Sequence, residues 1–91
     1  MAQVINDAVE VRQFAARVRD SAVEVQAAAR ALESALTETR LTWRDARGDA
    51  AERRIQEAVA EMSAFVRDAE RTEEWLKQLA SRIERYLQGG A

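Results

Sequence analysis

The chain has 91 residues, 14 Lys and Arg against 16 Asp and Glu, and a formal charge of −2, so it is one small domain without the excess positive charge that holds a polyanion. No nucleic-acid partner is expected. The absence of Cys and His removes disulfides, zinc ribbons, thiol or imidazole catalysis and histidine pH switches, and zero Pro with only three Gly predicts an all-α protein.

Residues 1–12 include Asn6, Asp7 and Glu10 and lack a basic start followed by an apolar core, so no cleavable signal peptide is expected. No run approaches the roughly 18 apolar residues of a membrane span. From Val4, steps of seven give Val11, Val18, Val25 and Leu32, and the positions four further on are Ala8, Ala15, Ala22, Ala29, Leu36 and Trp43. This heptad seam predicts a first helix over about residues 6–42. Its alanine row lets another helix come close, towards the lower end of the roughly 8–10 Å range of interaxial distances.

The chain must reverse near Gly48, the one glycine inside its body. Asp45 is the better N-cap for a second helix, which leaves Gly48 helical and inward, while Asp49 with Glu52 is a rival capping box. The turn is then placed at 43–45 and the second helix at about 46–88. Its predicted inner stripe is Gly48, Ala51, Ile55, Ala58, Met62, Phe65, Ala69, Thr72, Leu76, Leu79, Ile83 and Tyr86. Val59, Val66, Trp75, Ala80 and Leu87 are read as flanks of that stripe, and Gly89-Gly90 as its end.

A connection of two or three residues between arms of similar length describes an antiparallel two-helix hairpin. One hairpin gives each helix a single neighbour, which leaves Ile5, Val9, Phe14, Val23, Leu41, Trp75 and Leu87 uncovered. Two hairpins forming a four-helix bundle would cover them, so a homodimer or a heterodimer with a similar hairpin is expected. Val9, Phe14, Val23, Val66, Trp75 and Leu87 are the candidate interface residues; Phe14 and Phe65 are read as filling core or dimer space.

No catalytic, cofactor-binding or metal-binding residues are expected. Glu57 with Glu61 and Glu70 with Glu74 are i,i+4 carboxylate pairs, but they fall off the apolar stripe and lack the histidines of bundle metal sites. Ser21, Ser34, Ser63 and Ser81 have no His to activate them and share one lysine, Lys77. The arginines at 40, 44, 47, 53 and 54 lie among Glu38, Asp45, Asp49 and Glu52, which reads as a near-neutral, salt-bridged hairpin end. Trp43 is expected to lie on the inner face at that end, with the missing side chain of Gly48 making room for its indole.

A helical hairpin of about this length with a Trp at its turn resembles the WXG100, or Esx-like, superfamily, here through Trp43-Arg44-Asp45, where Asp45 stands in place of the family's Gly. The resemblance implies a dimeric four-helix bundle that acts as a substrate or co-exported partner of a type VII secretion system. The turn motif is then Trp43, Asp45 and Gly48. The family's export signal is a Tyr followed four residues later by an acid, whereas Tyr86 is followed there by Gly90, so a partner would have to carry the signal for export. The resemblance places the protein in the cytoplasm or, without a cleavable leader, outside the cell. The alternative from the residues alone is a cytoplasmic structural or regulatory coiled-coil dimer unrelated to export.

Overall fold

In a computed structural model, the backbone is described for residues 2–89 and the side chains for residues 7–89. Helix α1 spans Ala2–Arg40 and helix α2 spans Ala46–Gly89, and no strand occurs among the described residues. The helices pack against each other as a hairpin. The connection is residues 41–45, so α1 ends two residues earlier than the heptad pattern predicts. The side chains of Val4 and Ile5, and Gly90, lie outside the described residues.

The chain divides into two compact units, one of Met1–Ala22 with Asp68–Ala91 and one of Val23–Arg67. In the first, Ala8, Ala15 and Ala22 of α1 are buried against Ala69, Leu76 and Ala80 of α2, with Val11 and Val18 half-buried beside them. In the second, Ala29, Gly48 and Val66 are buried, and Val25, Leu32, Leu36, Ile55, Val59 and Met62 are half-buried. Alanine dominates the first core, and in the second Ala29 and Gly48 are buried among larger side chains. A methyl group fills little space, so the helices gain cohesion here by close approach more than by interlocking large side chains.

Helix α2 departs from the expected stripe in one of its two rows. The row Gly48, Ile55, Met62, Ala69, Leu76, Ile83 faces α1 as read, but its companion lies four residues on, at Glu52, Val59, Val66, Glu73, Ala80 and Leu87. The predicted companion row, three residues on, is the more exposed: Phe65 keeps 48% of its surface and Tyr86 76%, whereas Val66 keeps 6%. Shape explains the choice. An alanine row on α1 accepts Val, Ala and Leu at short range, while Phe65 and Tyr86 in that position would hold the helices apart. The acidic members of the inner row are paired at its edge, Glu73 with Lys77 Nζ at 3.1 Å and Glu52 with Arg40 Nε of α1 at 3.8 Å. Of the expected interface residues, Val66 is buried in the seam with α1 and Leu87 is half-buried at its edge.

Each unit carries an ion-paired edge. Arg12 Nη2 donates to Glu84 Oε1 at 2.5 Å and to Ser81 Oγ at 3.2 Å, while Arg40 pairs with Asp49 and Glu52. Glu84 is held below the ordinary carboxylate range, mainly by the hydrogen bond from Arg12, and Arg12 is raised in turn by the same bond. A carboxylate with a depressed pKa contributes stability above its unfolded pKa and loses it as pH falls through the folded value. Because the pair is exposed, its contribution is small and salt-sensitive. Glu84→Gln is expected to lower stability slightly at neutral pH, with the difference from wild type closing as acid protonates Glu84 in the folded chain, as read from urea midpoints across pH.

The seam makes a sharper prediction. Ala80, fully buried, has no room for added methylenes, so Ala80→Leu is expected to destabilise by about 1–3 kcal/mol in urea titrations. Ala60, exposed on the same helix, should tolerate the same change within about 0.5 kcal/mol.

Candidate functional site

The turn is built from hydrogen bonds that end one helix and start the next. The amides of Leu41 and Thr42 donate to the carbonyls of Glu38 and Thr39 at 3.2 and 3.3 Å, tightening the end of α1, and Trp43 N donates to Thr39 O at 3.0 Å. With these carbonyls taken, the chain leaves the helical path two residues before Trp43. Asp45 stands immediately before α2, and its Oδ1 accepts the amide of Gly48 at 2.9 Å in the manner of an N-cap. Its own carbonyl accepts the amide of Asp49 at 3.1 Å, the first bond of the new helix.

Arg40 spans the junction. Its Nη1 donates to the carbonyl oxygen of Trp43 at 2.5 Å, its Nη2 to Asp49 Oδ1, and its Nε lies 3.8 Å from Glu52 Oε1. One guanidinium therefore ties the last residue of α1 to the turn and to the first turns of α2. The Trp43 carbonyl lies in the connection, outside both helices, where no helical amide reaches it, and the acids sit where the α2 dipole favours negative charge. The hairpin end is salt-bridged as expected, and Arg40 is its centre, a role that the expectation did not single out. The available signal was an Arg in the last turn of one helix, a Gly eight residues on and acids nine and twelve residues on.

Gly48 serves this clamp and not the indole. A Cβ added there would overlap Arg40 Nη1 and lie 3.1 Å from the carbonyl oxygen of Trp43. The space that the missing side chain leaves is filled by the guanidinium. Trp43, expected on the inner face, keeps 39% of its surface and forms one wall of a groove of about 250 Å³ with Leu32, Leu36, Ala51 and Ile55.

Of the other expected interface residues, Val9, Phe14, Val23 and Trp75 are exposed. Phe65 and Tyr86 join them as exposed aromatics that the sequence stripe had placed inward. No polar or charged side chain among the described residues is buried, and no group of three or more acids there could hold a metal ion. No described helix is long and apolar enough to cross a membrane. Comparison with protein-family models, with curated proteins and with solved structures finds no match.

The turn yields a test by paired substitution. Asp45→Ala is expected to cost about 1 kcal/mol, the usual loss for an N-cap. Gly48→Ala would ordinarily gain about 1 kcal/mol of helix propensity, but here it displaces Arg40, so a net loss is expected. Combining it with Arg40→Ala should remove most of that loss, because the clashing group is then gone; denaturant titrations of the single and double variants measure the coupling.

Proposed function

We propose that this chain acts by protein–protein association, as a WXG100-like helical hairpin that pairs with itself or with a similar hairpin in a four-helix bundle. On this reading it uses no cofactor, performs no catalysis, and is a substrate or partner of a type VII-like secretion system. One observation carries the proposal: large apolar side chains, among them Phe14, Val23, Phe65 and Trp75, stand in solvent on a hairpin that offers each helix one neighbour. The chain exposes 6964 Å², against about 5300 Å² for a compact monomer of its 10.2 kDa mass. The excess is of the order that a stable interface removes.

The turn supports the family resemblance in its own way. Trp43 sits between the helices next to a capped N-terminus, although the capping residue is Asp45 where the family has Gly. Tyr86 is exposed, and Gly90 occupies the position where an export signal would carry an acid. Under the proposal a heterodimeric partner supplies that acid. The same lack of an acid favours the second reading, a cytoplasmic coiled-coil dimer with no export role.

Light scattering coupled to size exclusion should find a dimer at micromolar concentration, or a monomer that becomes a heterodimer when a similar hairpin is added. A cooperative monomer that takes no partner would overturn the association reading. For the secretion reading, Trp43→Leu is expected to keep the melting temperature within a few degrees of wild type, because the indole is part-exposed, and to weaken capture by a secretion component. Unchanged capture would favour the cytoplasmic dimer.

A further inference from the structure

We propose that residues 47–65 form a self-complementary docking face for a second copy of this chain, with a twofold axis passing beside Ala58. The inference rests on the association reading and assigns it a surface and a register. All the residues involved belong to the Val23–Arg67 unit.

Ala51, Ala58 and Phe65 form one row of α2 at seven-residue spacing that borders the intrachain seam, with the two alanines half-buried and Phe65 exposed. Two shallow grooves open along it. The first, of about 250 Å³, is bounded by Trp43, Leu36, Ala51 and Ile55. The second, of about 380 Å³, is bounded by Val25, Ala58, Met62 and Phe65. Phe65, 48% exposed, is a knob without a hole in its own chain, and the groove beside Ala51 is a hole without a knob.

These features lie at equal distances from one residue. Seven residues of helix, about 10.5 Å, separate Ala58 from Ala51 on one side and from Phe65 on the other. Two α2 helices crossing antiparallel at Ala58 therefore set each Phe65 over the Ala51 groove of the other copy. Alanine at the crossing lets the backbones approach towards the lower end of the usual 8–10 Å separation.

Charge selects the same register. Arg54 lies four residues before Ala58 and Glu61 three after it, on the adjoining row, and neither has an ion-pair or hydrogen-bond partner among the described residues. The twofold brings each Arg54 opposite Glu61 of the second copy, giving two ion pairs. A parallel arrangement would instead set Phe65 on Phe65 and carry the Arg54 and Glu61 rows of the two copies to opposite sides of the contact, where neither pair could form. An isologous interface requires that one patch carry both members of each contact, and this row does.

The full chain, which has no cysteine of its own, permits a direct test. Ala58→Cys should form a disulfide-linked dimer under mild oxidation at least about tenfold faster than Gln56→Cys, whose side chain lies on the ion-paired edge. Sedimentation should show Arg54→Glu and Glu61→Arg each weakening self-association about tenfold or more, and the double swap restoring it. Phe65→Ala should weaken it similarly while the melting curve reports an intact fold. A wild-type dimer in which Ala58→Cys links no faster than Gln56→Cys, or in which the double swap fails to rescue, would overturn this face and leave association itself standing. A wild-type chain that stays monomeric would overturn this inference even where a heterologous hairpin binds.

Discussion

The distance between the two helices is set by alanine. Ala8, Ala15, Ala22 and Ala29 present one methyl each along α1, and everything that faces them on α2 has to be compatible with close backbone approach. That constraint decides which of two apolar rows of α2 turns inward. Val59, Val66 and Ala80 are short enough to meet a methyl surface, and Phe65 and Tyr86 are displaced to the outside. The same choice creates the exposed aromatic surface on which the proposed association depends, so the small core and the large exposed side chains have one cause.

The turn meets a different requirement, which is to reverse the chain without proline and with no residue at positive φ. Arg40 does this by serving both helix ends at once. It satisfies a carbonyl past the end of α1 and pairs with Asp49 and Glu52 near the start of α2, while Asp45 independently caps the new helix. Gly48 is needed for the guanidinium to lie there. Asp45, Asp49 and Glu52 are thus occupied, whereas Glu38, Arg44, Arg47, Arg53 and Arg54 have no side-chain partner among the described residues, so a charge count near neutrality conceals an uneven distribution of free groups.

Much of the architecture can be read from residue spacing because one cue dominates at each point. The seven-residue rows of Val and Ala on α1 run longer than rival apolar rows such as Val9, Ala16 and Val23, and burial follows the longer rows. On α2 the cue is ambiguous: residues three and four positions after each inner residue are often both apolar, as at Phe65 and Val66 or Leu79 and Ala80. Periodicity alone gives both rows similar weight, and only the shape of the opposing helix separates them. The role of Arg40 was hidden for another reason, since it depends on where a long side chain reaches across a reversal and not on its place in any repeat.

Because no polar side chain is buried among the described residues, the seam lacks the buried asparagine that keys many coiled coils, and its register rests on side-chain size and on its edges. A slip of seven residues would bring Glu73 or Leu87 to the place of fully buried Ala80 and part Arg12 from Glu84. Phase is referenced again at the reversal, where five connecting residues and the Arg40 clamp leave no slack. Severed there, the two arms would lose one reference and keep the other, so the pair would still settle on one offset but hold it less firmly.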